Sequence, residues 1–321
     1  MSFEEFIEEW KDSRNYIEAK TSGSTGVPKV IRLEKEFIKE SALRTIEFFG
    51  ITEGDRLHSC VGADFIGGKM MAVRALIAGS DFTWETPSNQ ALKNIEKTEE
   101  IDLLAVVPSQ MVYILDNLNR MPKIKNVIIG GGAISPQLRQ RIYDSGLNTY
   151  ETYGMTETAS HIALRKITKE EIPFRCFDDI SIKLGSSGCL EILYQSGNII
   201  STNDLVEVIN EKEFYILGRK DNIIISGGKK INPVEIESKL ANYLLKDFIL
   251  VGLPDKLWGE KLVLIIEGNE GDVDIEAIRD KLGKEIERWQ LPKEIKFIEK
   301  LPRTPNGKIA RGLVYRTLQS I

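Results

Sequence analysis

Between residues 29 and 160, short apolar runs alternate with amphipathic stretches, and this alternation limits the fold more than any other feature of the chain. Runs at 29–33, 56–61, 81–84, 103–107 and 126–129 have strand length, while 34–49, 68–78, 88–99 and 109–118 read as helices. In 34–49, Phe37, Ile38, Ala42, Thr45, Ile46 and Phe49 recur on one helical face, and Gly50 supplies a stop. Strands joined by helix-length connections make a mostly parallel sheet covered by helices. From about residue 180 the texture changes. Short alternating runs at 180–184, 189–194, 198–201, 206–209 and 213–217 are separated by Gly, Asn and Ser, as antiparallel strands are. A charged, glycine-bearing stretch at 218–221 then marks a boundary. Beyond it, helices at 233–242 and 275–290 and strands at 247–251, 261–267 and 293–297 make a compact α+β unit. The expected fold is α/β. A large domain over 1–218 holds the parallel sheet and an antiparallel β subdomain at about 180–218, and a small mobile α+β domain occupies 219–321. At 321 residues and 42% hydrophobic, the chain has enough apolar mass for two such cores.

Composition excludes some functions. The 43 basic and 48 acidic residues leave a net charge of −5, so broad attraction to nucleic acid or an anionic membrane is not expected. The N-terminus, Met1-Ser-Phe-Glu-Glu-Phe6, is acidic and lacks a signal-peptide pattern, and no stretch approaches the ~18 apolar residues of a membrane span. A cytoplasmic protein without membrane insertion is expected. Cys60, Cys176 and Cys189 are scattered and odd in number, which argues against a disulfide framework or a thiolate metal cluster. The two histidines, His58 and His161, show no Cys or acidic ligand spacing in the chain, so no structural zinc site is expected.

One loop suggests chemistry. Thr21-Ser-Gly-Ser-Thr-Gly-Val-Pro-Lys29 combines hydroxyl side chains, glycines and one lysine, a donor-rich composition suited to wrapping a polyphosphate. It is not a Walker A loop, since Lys29 follows Val27-Pro28 and precedes Val30. Its composition also suits a Gly/Ser surface turn. A second cluster, Gly130-Gly131-Gly132-Ala133, follows a strand but lacks the third glycine of the dinucleotide fingerprint.

The loop is followed in order by Tyr153-Gly-Met-Thr-Glu157, Ser201-Thr-Asn-Asp-Leu205, Gly218-Arg-Lys-Asp221, Ser226-Gly-Gly-Lys-Lys-Ile231 and Pro302-Arg-Thr-Pro-Asn-Gly-Lys308. Together these six strings resemble the acyl-adenylate-forming superfamily, which includes acyl-CoA and aryl-CoA synthetases, over nearly the whole chain. The resemblance implies an AMP-forming acid–thiol ligase that uses ATP and Mg²⁺, with CoA as co-substrate. It implies that Thr21, Ser22, Gly23, Ser24, Thr25 and Lys29 hold the leaving pyrophosphate. Thr156 and Glu157 would contact the α-phosphate and the Mg²⁺, with Glu157 the metal ligand. Tyr153 would face the adenine, with Gly131, Gly132 and Ala133 along its other side, and Asp204 and Arg219 would bind the ribose hydroxyls. Lys308 would stabilise the charge that develops as the mixed anhydride forms. Asp221 matches the hinge about which the small domain turns, bringing Gly227 and Gly228 to the pantetheine arm. Singly, Tyr153 suits a core tyrosine, and Asp204, Arg219 or Lys308 a solvated surface charge.

Two stretches bear on the substrate. Tyr153 to His161 and Gly67-Gly-Lys-Met-Met-Ala-Val-Arg74 are most similar to o-succinylbenzoate:CoA ligases of menaquinone synthesis, particularly a short form. That substrate is an aromatic dicarboxylate. The resemblance implies a pocket formed by Phe65, Gly154, Ser160 and His161, with Lys69 or Arg74 as the cation for the carboxylate that is not activated. The alternative is that Met70, Met71, Val73 and Leu76 form a buried helix face while Lys69 and Arg74 reach solvent. His161 would either polarise the substrate carbonyl or serve as a satisfied structural histidine. Other aryl or short acyl acids, or a non-catalytic nucleotide-binding remnant, remain as alternatives. Members of the superfamily carry a longer region before the phosphate loop, so an N-terminally shortened enzyme, with a homodimer covering the bared surface, is the further expectation.

Overall fold

The computed structural model describes residues 1–20, 29–303 and 309–319. Thr21, Ser22, Gly23, Ser24 and Thr25 of the phosphate loop, and Lys308, lie outside the described residues. The chain starts with α1 (Phe3–Lys11), capped reciprocally. Ser2 Oγ accepts the Glu5 N–H at 3.2 Å and the Glu5 carboxylate accepts the Ser2 N–H at 2.7 Å. Next, β1 (Tyr16–Lys20) and β2 (Val30–Glu34) form an antiparallel pair of their own. The run at 29–33 is therefore a strand outside the main sheet, which corrects the expectation that it starts the parallel series.

Helices and strands then follow as α2 (Lys35–Phe49), β3 (Arg56–Ser59), α3 (Ile66–Ala78), β4 (Asp81–Trp84), β5 (Glu100–Val106), α4 (Pro108–Asp116), β6 (Lys123–Ile129), α5 (Pro136–Ser145) and β7 (Thr149–Gly154), the expected alternation being broken only between β4 and β5. Gly50 ends α2 in the left-handed conformation, with φ 63°. Strands β8 (His161–Lys166), β9 (Phe174–Cys176), β10 (Ile180–Leu184), β11 (Cys189–Tyr194), β12 (Ile199–Val208) and β13 (Glu213–Arg219) complete one eleven-stranded sheet in the order β10-β11-β12-β13-β9-β8-β7-β6-β5-β3-β4. From β4 to β7 neighbours are parallel, and from β7 to β10 they are antiparallel. The expected strands at 198–201 and 206–209 are a single strand, whose register shifts between Leu205 and Val206.

Period-2 alternation lets the parallel strands bury both faces. Leu104 and Val106 of β5 with Val127 and Ile129 of β6 pack on Met111 and Ile114 of α4 and Leu138 and Ile142 of α5. The intervening Leu103, Ala105 and Ile128 pack on Met71 and Ala75 of α3. Chain order reverses between β3 and β5, and the carboxyl ends beside such a switch point are where ligands sit in open α/β sheets.

The remaining chain forms a five-stranded sheet from β14 (Ile224–Ser226), β15 (Lys229–Ile231), β16 (Phe248–Asp255), β17 (Gly259–Glu267) and β18 (Glu294–Ile298), with α6 (Pro233–Leu240), α7 (Ile275–Leu282) and α8 (Arg311–Gln319). Helices α6 and α7 share one core with this sheet, and α8 shares the other. Helix α7 ends at Gly283, and a separate 3-10 turn over Arg288–Gln290 follows, so the expected helix at 275–290 is two elements.

Residues 88–99 are turns, not the expected helix. A side-chain acceptor captures an N–H group that a helix would need: both Glu85 carboxylate oxygens lie 3.1 Å from Leu92 N, which a helix over these residues would bond to Ser88 O. Leu92 sits at φ 62°, a conformation that no helix interior tolerates. Among the described residues, no helix is long and apolar enough to cross a membrane.

Candidate active site

The turns after β6 and β7 and the loop between β3 and α3 bring the motif residues to the carboxyl ends of the parallel strands. After β6, Gly131 takes φ 78°, and Gly131 and Ala133 are exposed while Gly132 is half-buried. Ser135 then caps α5, its Oγ accepting the Leu138 N–H at 3.2 Å. After β7, Thr156–Thr158 form a 3-10 turn in which Thr156 is buried and Glu157 is exposed. A carboxylate held on a short turn beside open backbone suits a cation on a polyphosphate. Lys29 is exposed just ahead of β2.

Tyr153, Asp204, Arg219 and Asp221 form one hydrogen-bonded chain across the sheet. Tyr153 Oη donates to Asp204 Oδ2 at 2.6 Å. Arg219 Nη1 lies 3.4 Å from Asp204 Oδ1, and Arg219 Nη2 donates to Asp221 Oδ2 at 3.0 Å. Asp204 and Arg219 are register partners on β12 and β13, which brings their side chains together. Burial, then the neighbouring Asp204 charge, raises the Tyr153 hydroxyl far above its usual range, so Tyr153 stays a neutral donor. Tyr153 also packs edge-on against Phe214 at 5.2 Å. It is thus both the core tyrosine and the partner of the carboxylate expected at the ribose. Asp221 further accepts from Asn203 Nδ2 at 3.2 Å.

A second chain runs from α2 through β8 to α3. His161 Nε2 lies 3.0 Å from Thr45 Oγ1, and His161 Nδ1 lies 3.4 Å from Ser160 Oγ. Ser160 Oγ accepts from Arg74 Nη2 at 2.5 Å. Burial first, then the Arg74 charge, holds the His161 pKa well below its usual value, so the ring is neutral. Both its nitrogens are engaged with protein, which favours the structural reading of His161 over direct contact with a substrate carbonyl.

Arg74 is the unusual member. It is 1% exposed, its Nε has no hydrogen-bond partner, and among the described residues no carboxylate pairs with it. Burial pulls its pKa down to about 9. Lys69 is 3% exposed, but Nζ donates to Glu18 O at 2.9 Å and lies 3.7 Å from Glu9 Oε2 and 4.8 Å from the Phe6 ring centroid. Helix α1 and strand β1 therefore satisfy Lys69, and neither cation reaches solvent as the helix-face alternative expected. Leu76, assigned to that buried face, is 39% exposed. Phe65, half-buried, is the N-cap residue of α3.

Local backbone aims Ser160. Ala159, fully buried, takes φ 60° and ψ −38°, and the Ser160 N–H donates back to Thr158 O at 2.7 Å, a tight γ-turn that costs about 1–3 kcal/mol. Gly154 makes room for it, since a Cβ at 154 would lie 2.3 Å from Ser160 O and 2.5 Å from His161 Cα. Gly154→Ala should therefore force backbone apart and destabilise the protein by about 1–3 kcal/mol, seen as a lower denaturant midpoint. An unchanged midpoint would show that this close approach is not required.

In the C-terminal unit, Gly227 and Gly228 sit between β14 and β15 at φ 57° and 77°, and a Cβ on Gly227 would meet the Trp258 ring at 2.7 Å. Both glycines are exposed.

The AMP-binding enzyme model matches residues 20–179, and the AMP-binding enzyme C-terminal domain model matches residues 235–308. A solved acyl-CoA synthetase (AMP-forming)/AMP-acid ligase II-like protein from Dyadobacter fermentans is 30% identical, with 98% of this chain and 93% of that one covered at a TM-score of 0.62. This chain belongs to the AMP-binding enzyme family. Among the family's curated members, the 2-succinylbenzoate–CoA ligase of Enterococcus faecalis is 26% identical over 91% of this chain and 67% of that protein. The o-succinylbenzoate coenzyme A synthetase of Bacillus subtilis, solved in complex with ATP and magnesium ion, is 23% identical and shares the fold. Its TM-score is 0.80, and 92% of this chain and 68% of that one are covered.

Sequence reasoning missed two features of the site. Tyr153 and Asp204 were expected to touch different parts of the nucleotide, yet they bond each other, because the chain lists strands in order while the sheet shuffles them. Thr45 carried only the signal of an apolar helix face, and its hydroxyl instead holds His161.

Proposed function

We propose that this family member is an ATP-dependent carboxylate:CoA ligase that acts through an acyl-AMP intermediate, with o-succinylbenzoate its substrate. The observation that carries the substrate assignment is Arg74, a buried cation with an unpartnered Nε and no carboxylate partner among the described residues. Burying an unpaired charge is costly, so such a group is kept where a ligand completes it. A planar guanidinium suits the second carboxylate of an aromatic dicarboxylic acid, and Ser160 holds it from one side. The names carried by the Enterococcus faecalis and Bacillus subtilis relatives agree with this chemistry.

In the first half-reaction the activated carboxylate oxygen attacks the α-phosphorus, an O–P bond forms, and the bond to pyrophosphate breaks. Thr21 to Thr25 and Lys29 hold the leaving group, and Thr156 faces the α-phosphate. Glu157 would hold Mg²⁺, which supplies charge neutralisation on the phosphates. Asp204 accepts from the ribose hydroxyls while Arg219 steadies it, and Tyr153 keeps the Asp204 carboxylate in place. In the second half-reaction the small domain turns about Asp221, a CoA thiolate attacks the acyl carbonyl, and AMP leaves. Gly227 and Gly228 let the pantetheine arm pass close to backbone.

Pyrophosphate release measured across a panel of carboxylic acids, followed by CoA consumption, tests the reading. Release is expected with o-succinylbenzoate and not with benzoate or fatty acids. Stronger release with a monocarboxylic acid would overturn the substrate assignment, and nucleotide binding without release under any acid would overturn the activity.

A further inference from the structure

At the carboxyl ends of β3 and β4 stands a side-chain cluster that the adenylation chemistry does not use. His58 and Cys60 are two residues apart on one strand path, and Glu85 follows the parallel neighbour, its N–H donating to Ser59 O at 3.3 Å. One ligand-type atom from each of His58, Cys60 and Glu85 lies within 4.8 Å of the other two. His58 is 1% exposed and Cys60 is fully buried, while Glu85 is half-buried. We propose that these three side chains form a binding site for a divalent transition metal, with Zn²⁺ the best match to the donor set.

The surroundings prepare each ligand. Thr83 Oγ1 lies 2.8 Å from His58 Nδ1 and donates to Leu57 O at 3.5 Å. With its proton directed there, the hydroxyl accepts from Nδ1–H, which leaves Nε2 as a bare lone pair. Nε2 is buried and has no hydrogen-bond partner among the described residues. A hydrogen bond on the far ring nitrogen is how metal-bound histidines are held. The Glu85 carboxylate is oriented by Leu92 N, 3.1 Å from both oxygens, and among the described residues it has no ion pair.

Imidazole nitrogen, thiolate sulfur and carboxylate oxygen together favour Zn²⁺ over Mg²⁺ or Ca²⁺, which take oxygen ligands. The charges balance: one thiolate and one carboxylate offset a divalent ion, so the buried site is neutral. On binding, the Cys60 S–H bond breaks, the sulfur–metal bond forms, and the proton passes to solvent. With three protein ligands, a water would complete a tetrahedral set. The bound ion would tie the turn region 85–92, with Leu92 at φ 62°, to the end of β3.

Co²⁺ titration of the full chain in Mg²⁺-containing buffer tests the proposal. A saturable thiolate-to-cobalt charge-transfer absorption is expected, bleached by added Zn²⁺. It should vanish in Cys60→Ser and persist in Cys176→Ser and Cys189→Ser, whose thiols lie elsewhere in the core. Should Cys60→Ser fail to fold, Thr83→Val provides a second reading, keeping the absorption but weakening metal affinity about 10- to 100-fold. No charge-transfer band in the wild type, a band that survives in folded Cys60→Ser, or unchanged affinity in Thr83→Val would overturn the site.

Discussion

Arg74→Gln should lower kcat/KM for o-succinylbenzoate by roughly 30- to 1,000-fold, as expected when a buried charge pair worth about 2–4 kcal/mol loses one partner. Most of the loss should appear in KM, because the carboxylate Arg74 would hold is remote from the reacting centre and contributes to binding in ground and transition states alike. Glutamine ends at the level of the arginine Nε, so the variant also gives up the contact that Arg74 Nη2 makes with Ser160 Oγ, while Ser160 Oγ still neighbours His161 Nδ1. The decisive control is the monocarboxylic analogue that lacks the carboxylate not activated. Its kcat/KM should change little, since it brings no charge to position 74. An equal fall for both acids would assign Arg74 a structural role and remove the basis for a dicarboxylate substrate. Arg74→Lys is expected to fall between the two, because an ammonium restores charge without the two-pronged guanidinium.

Lys308→Ala should abolish adenylation while sparing thioester formation. Loss of one donor that stabilises developing charge typically costs about 10²–10³-fold, and an ammonium on two anions belongs at or above that range. Supplied acyl-AMP and CoA should still react within a few-fold of the wild-type rate, because this half-reaction is assigned to the glycine turn at 227–228. The two rates are read separately as pyrophosphate release and as AMP release from synthetic acyl-AMP. Equal loss in both would sink the division of labour between Lys308 and the glycine pair.

Much of this was legible in the chain. Apolar periodicity located the strands and helices from α2 to β6, apart from the helix expected at 88–99, because each buries against a neighbour on a regular period, and six motifs in order indicated the chemistry. What escaped depended on partners distant in sequence. Nothing near residue 92 shows that the Glu85 carboxylate will capture its N–H and undo a helix. Lys69 and Arg74 look alike on α3, and only the fold brings Glu9 and Glu18 O to the first and leaves the second, among the described residues, without an acid. The histidines read as isolated in the chain, although His58 and Cys60 stand two apart, and Glu85, the third member of the proposed metal site, reaches them only through β3–β4 pairing. The missed helix α1 had a signal, since Ser2 and Glu5 have capping-box spacing.

Strand β9 has only three residues, with two register pairs to β8 on one side and two to β13 on the other. The β10–β13 meander is built from sequence neighbours and can assemble early, whereas the β9 joint must wait for contacts across the chain. Tyr153 stands on the parallel side of that joint, and Asp204 and Arg219 stand on the meander side. A nucleotide gripping all three would reinforce the shortest seam in the sheet. Ligand-dependent resistance to proteolysis should consequently spread beyond the pocket and appear as slower cleavage across the β8–β9 and β9–β10 connections, with the cofactor acting late in assembly as a staple between two separately formed halves.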